Sequence, residues 1–311
     1  MTNQEKYRQF SLNEPSIPIY SKGWWLDAVC DHWDACLIEK GGEVVASLPY
    51  PIKKKANKKL LYTPNFTKGL GPWLKYPEGQ KKHTQISYEK KLYNQLIEQL
   101  PPFGLFEQSC HYGFKNWMPF YWQGFSQTLR YSYIIHDTTS VESIFQEASD
   151  ATRRAIRKAE KKVSIKEEYN VETLWALNEL TFKKQNQLVP YTREEYICLL
   201  NAINENGAGK IVIGYVEGKP VSAALFVKDE QSIYYLIGGK DPAFQENAAM
   251  SLVMWQGIKW ASECKLKFDF EGGMIEKIEP FFRGFGGEQT PYSFLYKVNS
   301  PLLKMKRMLF A

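Results

Sequence analysis

Two acidic side chains, Asp269 and Glu271, stand in the run Lys267-Phe268-Asp269-Phe270-Glu271-Gly272-Gly273. Leu266, Phe268 and Phe270 alternate with Lys267, Asp269 and Glu271. A period of two predicts a strand that buries the aromatics and lines up both carboxylates on its opposite face. The glycine pair ends that strand. Carboxylates at a strand end, beside backbone that can turn sharply or approach a ligand, suit a reaction centre that moves a proton. The solvated face of a half-buried strand has the same pattern. Further downstream, Ile278-Glu279-Pro280-Phe281-Phe282-Arg283-Gly284-Phe285-Gly286-Gly287 adds a third acid, Glu279, and a cation, Arg283.

Positive charge is concentrated elsewhere. The formal net charge of +6 is modest for 311 residues, yet Arg153, Arg154, Arg157, Lys158, Lys161 and Lys162 form one group and Lys53, Lys54, Lys55, Lys58 and Lys59 another. On a helix, Arg154, Arg157, Lys158 and Lys161 share a face by their spacing of three and four, opposite Ala155, Ile156 and Ala159. Like charges so placed repel unless an anion compensates, and Glu160 offsets only part. A plain solvated helix face fits the spacing equally well. The lysines at 53 to 59 belong on a hairpin tip or loop.

Other chemistries lack their parts. His32, His83, His111 and His136 stand apart, no Gly-x-Ser-x-Gly elbow occurs, and the five cysteines are scattered without a CxxC pair. Reduced thiols and no structural metal are expected. Acylation of an amine needs no protein nucleophile; it needs a neutral amine, a stabilised oxyanion and a proton for the leaving group. No run approaches the roughly 18 apolar residues of a membrane helix, and the polar start has no signal-peptide core. A soluble, cytoplasmic protein is the expectation.

The elements that must position these residues recur. Residues Cys36 to Leu48 read as a hairpin turning at Gly41-Gly42, and Ile211 to Leu225 as another. Each is followed by a helix, near Tyr88 to Gln99 and Asn247 to Glu263, and then a short strand, at Gly104 to Glu107 and Phe268 to Glu271. Two similar α/β units explain the repeated order. In the second helix Gln256, Lys259 and Glu263 make a narrow polar stripe, so most of its circumference is buried. Its first turn follows a strand-like run, Ile233 to Ile237, and a loop containing Gly238-Gly239. A helix N-terminus so placed offers backbone N–H groups to an anion, and tight helix packing explains the small residues as well. Thr139 with Glu142 reads as a capping box for a helix through Ala148.

Trp122-Gln123-Gly124-Phe125, Arg130-Tyr131-Ser132-Tyr133, the basic run Arg153 to Lys161, Phe268-Asp269-Phe270-Glu271-Gly272 and Phe285-Gly286-Gly287 together resemble the Fem-type transferases. These are tandem-GNAT proteins related to the enzymes that build peptidoglycan peptide bridges. The ordered motifs span about Trp24 to Tyr296. The resemblance implies an α/β fold with mixed sheets, as two tandem GNAT-like domains packed across a cleft that holds the active groove. Domains at 1–135 and 136–296 follow, with the tail 297–311 returning to the first. It also implies acyl or aminoacyl transfer to an amine, the donor being aminoacyl-tRNA in bridge-forming members and acyl-CoA in others.

The acceptor class implied is a small-molecule or lipid-linked sugar or peptide precursor of the cell wall, and no tightly bound cofactor is implied. Two features depart from the bridge-forming members. No heptad run supplies their helical arm, and their Phe-Lys pair appears as Phe281-Phe282 with Arg283 one place later. The usual pyrophosphate loop is reduced to Gln245-Glu246-Asn247-Ala248-Ala249-Met250. Asp269, Glu271 and Glu279 are then the candidates to orient or deprotonate the amine. Arg153, Arg154, Arg157, Lys158 and Arg283 would bind substrate, and Gln245, Asn247, Ala248 and Ala249 the donor. Tyr234, Tyr235 and Tyr292 are candidates to protonate the leaving group. A non-catalytic nucleic-acid-binding protein using the basic helix 153–162 is the rival reading.

Overall fold

The computed structural model describes residues 1–55 and 58–301, and at 245–247 the backbone alone. The chain forms two compact units, one of Met1–Arg130 with Pro291–Ala311 and one of Tyr131–Thr290.

In the first unit, Thr2 and Glu5 form a capping box for α1 (Asn3–Asn13), which is followed by α2 (Gly23–Val29). The hairpin expected at 36–48 is β1 (Trp33–Lys40) and β2 (Glu43–Lys55), with Gly41 and Gly42 both at positive φ in the turn. A side chain at either glycine would strain that turn. β2 continues into a second antiparallel pairing with β3 (Lys58–Leu61), and also meets the short β4 (Trp73–Leu74). α3 (Lys82–Glu98) begins well before Tyr88, because its first turn is polar and has no side-chain cap to mark it in the sequence. β5 (Leu105–Ser109) then runs parallel to β3. After α4 (Met118–Trp122), β6 (Ser126–Ile135) leads out of the unit. Leu48, Leu61, Leu92, Leu96, Phe106, Phe120 and Phe125 share one core.

The second unit opens with α5 (Val141–Glu147) and α6 (Asp150–Glu160). Ser140, not Thr139, caps α5 by accepting from the Ser143 N–H, at 3.1 Å. Thr139 is taken up instead by the Asp137 carboxylate, through both its N–H and its hydroxyl. β7 (Ser164–Glu167), α7 (Val171–Lys184) and α8 (Arg193–Glu205) precede the expected hairpin, β8 (Gly209–Val216) with β9 (Lys219–Lys228). β10 (Ser232–Lys240) pairs antiparallel with β9 and parallel with β11 (Lys267–Asp269), which in turn pairs antiparallel with β6. Between them stand a 3₁₀ turn (Pro242–Asn247) and α9 (Ala249–Cys264). α10 (Glu279–Arg283) and β12 (Glu288–Val298) complete the chain, and β12 ends in the first unit against β5.

Two readings of local structure change here. Gly238 and Gly239 lie inside β10 rather than in a loop. A Cβ on Gly239 would stand 2.3 Å from the Asn178 backbone nitrogen, so the glycine lets α7 approach the strand. The Asn178 side chain seals the contact, donating to the Gly238 carbonyl at 2.9 Å. The alternation at 266–271 is also overridden. β11 has a partner on both edges and its faces are covered, so Asp269 is 3% exposed beside Phe268 at 0% and Phe270 at 1%. α9 matches its pattern. Leu252, Val253, Met254, Trp255 and Ile258 are buried, and the Gln256, Lys259, Glu263 stripe is not.

Candidate functional site

The register of β10 with β11 ends at Tyr234 opposite Asp269. β10 runs on to Lys240, while the other chain turns away: the Phe270 N–H donates to the Tyr133 carbonyl at 3.0 Å, and Glu271 adopts a left-handed φ of 53°. The two parallel strands therefore part just after Asp269, within the acidic motif. A non-glycine residue in this region costs free energy, and such outliers gather at functional sites.

Asp269 holds that turn. Its Oδ1 accepts from the Ser132 hydroxyl at 2.5 Å and from the Glu271 N–H at 2.8 Å. The two carboxylates are thus not paired on one open face. Asp269 points into a hydrogen-bonded interior and Glu271 is half-buried at the corner that Asp269 fixes. The following glycines serve close approach to the protein itself. A Cβ on Gly272 would lie 2.7 Å from the Phe282 ring, and one on Gly273 2.7 Å from the Tyr131 carbonyl oxygen.

Glu279 and Arg283 form a second group. Glu279 opens α10, and its carboxylate accepts from the Tyr133 hydroxyl and, at 2.8 Å, from Arg283 Nε. These two donors hold the Glu279 carboxyl below its ordinary value. Loss of water around the ring, and then the neighbouring Glu279 carboxylate, push the Tyr133 phenol up. Gln289 Nε2 donates to the same phenol oxygen at 3.4 Å. Ser132 and Tyr133 are adjacent on β6, so the Asp269 turn and the Glu279 pair are anchored on neighbouring residues. Neither was chosen from the sequence as a site residue, although both stand in the Arg130-Tyr131-Ser132-Tyr133 motif; only strand pairing shows whom they touch.

The donor-side candidates lie at the N-terminus of α9. Ala248 is left-handed, with φ 53°, and no side chain caps the first turn among the described residues. An uncapped N-terminus of a long helix attracts negative charge through its N–H groups and dipole. Ala249 is 5% exposed. The Gln245 and Asn247 side chains lie outside the described residues. At the far end of β10, burial and the neighbouring Lys184 lower the Lys240 ammonium below its ordinary value.

The basic helix is α6, and it packs along α9 through Ile156 and Ala159 and touches the 242–247 turn. Its start meets the segment after α10, where the Ser149 N–H donates to the Gly284 carbonyl at 2.8 Å. Arg154, Arg157, Lys158 and Lys161 are exposed, and none has a salt bridge to a described residue. Arg157 lies over the Phe145 ring at 5.2 Å. Arg153 is separate from them, bound to the Gln146 carbonyl and Asp150 at its own helix start. Of the tyrosines, Tyr234 is fully buried and donates to Asp229 at 2.9 Å, and Tyr235 packs on Phe282 with its phenol pushed up by burial. In the lysine group at 53–59, Lys54 stands opposite Lys59 and Lys55 opposite Lys58 in the pairing of β2 with β3.

A family model described as an acetyltransferase (GNAT) domain matches residues 147–282. No curated protein matches the chain. Among solved structures, a crystal structure of FemX is 13% identical with a TM-score of 0.72, and the alignment covers 98% of each chain. L-PGS from Bacillus licheniformis is 12% identical at a TM-score of 0.56, covering 98% of this chain and 95% of that one. A tandem GNAT protein from the clavulanic acid biosynthesis pathway is 8% identical at 0.53, covering 96% and 94%. At such identities the likeness is one of fold: a mixed α/β fold of the tandem-GNAT kind, with a GNAT domain in the second unit.

Proposed function

We propose that this chain, a Fem-like tandem-GNAT fold carrying a GNAT acetyltransferase domain, is an N-acyltransferase that moves an acyl or aminoacyl group from an activated ester or thioester to an amine. The carrying observation is that the GNAT match at 147–282 contains the parted β10–β11 strands, the uncapped start of α9 and the left-handed Glu271 corner. Parted strands expose backbone polar groups to a ligand, and an uncapped helix start attracts its phosphate.

In this reading Glu271 takes the proton from the acceptor ammonium, and Asp269 is a positioning residue that fixes the Glu271 backbone and Ser132. The neutral amine attacks the donor carbonyl. Backbone N–H groups near Ala248 and Ala249 hold donor phosphate or the oxyanion; as the tetrahedral intermediate collapses, the bond to the thiolate or ribose oxygen breaks and that leaving group takes up the proton shed by the attacking nitrogen. Glu279, tied to Tyr133 and Arg283, is the second acid, and it orients the amine side. Arg154, Arg157 and Lys158 bind a phosphate of the acceptor or of tRNA, with Arg153 supporting the start of their helix. The donor is acyl-CoA or aminoacyl-tRNA, and the acceptor is an amine on a cell-wall or sugar precursor. Both donors are cytoplasmic. No helix of the described residues is long and apolar enough to cross a membrane.

The test is donor-dependent turnover with Glu271→Gln and Asp269→Asn. Loss of general-base help lowers the rate by about 10²-fold or more. Full turnover in both variants would remove the assigned roles. Arg154, Arg157 and Lys158 of α6, exposed and without a salt bridge to a described residue, favour a second reading, a protein that binds RNA without catalysis; salt-sensitive RNA binding with no turnover from either donor would establish it.

A further inference from the structure

The first unit carries an outward-facing aromatic surface that no step above uses. Met118, Tyr121 and Trp122 fall at i, i+3 and i+4 of α4 and are 52%, 60% and 51% exposed. The other side of the same helix, Pro119 and Phe120, is in the core. The usual order, with large apolar groups inside, is thus satisfied by one face and repeated on the solvent face. The surface continues onto α3, where Ile86 is 57% exposed. One turn on from Ile86, Lys90 places its Nζ 4.8 Å from the Trp122 ring centroid.

Two cations stand close to α4. Lys90 stands on the α3 side, and at the C-terminal end of α4 the Lys297 Nζ donates to the Gln123 carbonyl at 2.6 Å and lies 5.0 Å from the buried Phe125 ring. Neither lysine has a salt bridge to a described residue. Glu89, beside Lys90 in the chain, does not neutralise them, because it is 8% exposed and its oxygens accept from Tyr76 and Asn116.

We propose that this face docks on the surface of an anionic lipid bilayer. Tryptophan and tyrosine carry an apolar body with a polar edge and favour the headgroup level, while lysine stems lie along apolar surface with the ammonium among phosphates. Methionine and isoleucine reach the acyl boundary. A contact of this size gives reversible binding that needs both the rings and the charges. The proposal is independent of the donor and acceptor assigned above, since its residues are outside the GNAT match.

Co-sedimentation of the full chain with phosphatidylglycerol-containing vesicles, and with phosphatidylcholine vesicles alone, tests it. The wild type should partition onto the anionic vesicles, and 0.5 M salt should weaken that binding. The triple substitution Met118→Ser, Tyr121→Ser, Trp122→Ser should lower the partition coefficient at least tenfold, and Lys90→Gln by about fivefold. All these side chains are exposed, so the thermal midpoint should hold; Trp122→Ser alone keeps the test open if the triple variant unfolds. Equal partition of wild type and Trp122→Ser, or none of the wild type, overturns the proposal. So does a lipid-free wild-type dimer that the triple substitution converts to monomer, which would make the face a contact between copies of the chain.

Discussion

Asp269 shows how burial redirects a carboxylate. Enclosed at 3% exposure with the Ser132 hydroxyl and the Glu271 N–H on one oxygen, it serves the corner rather than solvent. Ser132→Ala leaves that buried acceptor short of a donor, and stability should fall by about 1–3 kcal/mol in urea unfolding. An unchanged midpoint would show that the bond contributes nothing. Glu279 behaves differently, because it is only half-buried and gains its donors from Tyr133 and Arg283. Its folded carboxyl titrates below the ordinary 4.5, so its contribution is complete above that pH and is lost as pH falls through the folded value. The midpoint difference between wild type and Glu279→Gln, measured from pH 7 to pH 3, should therefore be present at neutrality and close in the acid range. A difference that instead grows on acidification contradicts the assignment.

At the scale of elements, the α7–β10 contact is a backbone-to-backbone constraint near the site. Gly239→Ala forces a methyl to within 2.3 Å of the α7 backbone at Leu177 and Asn178, where no flexible side chain can yield. Overpacking of this kind costs about 1–3 kcal/mol, and a fall in thermal midpoint of several degrees, read by circular dichroism, is expected. Because β10 carries the edge that parts from β11, donor-dependent activity should fall with it. The basic face of α6 was readable from spacing alone, for a period of 3.6 fixes which side chains share a helix face whatever surrounds them. The α5 cap was misplaced by one residue for a different reason. Thr139 and Ser140 are both competent caps, and the choice fell to Ser140 because Asp137, two residues before Thr139, captured Thr139 first.

For the whole molecule, the decisive measurement is which donor stabilises it. A ligand that binds only the folded chain raises stability by about 2.7 kcal/mol at a hundred times its Kd. A thermal-shift panel of acetyl-CoA, aminoacyl-tRNA and nucleotide-sugar precursors should give a selective shift for one donor. Equal shifts with aminoacyl-tRNA, uncharged tRNA and unrelated RNA, and none with acetyl-CoA, would favour the binding-only reading. The repeated hairpin, helix and strand, the buried α9 and the charged α6 were determined by the sequence itself, since periodicity and glycine turns act within a few residues. Strand neighbours were not so determined. The burial of Asp269 between β10 and β6, the pairing of Tyr133 with Glu279, and the use of Gly239 to admit α7 each join residues separated by tens to more than a hundred positions. Only the folded chain brings such residues into contact, and a carboxylate's role follows from the donors it meets there.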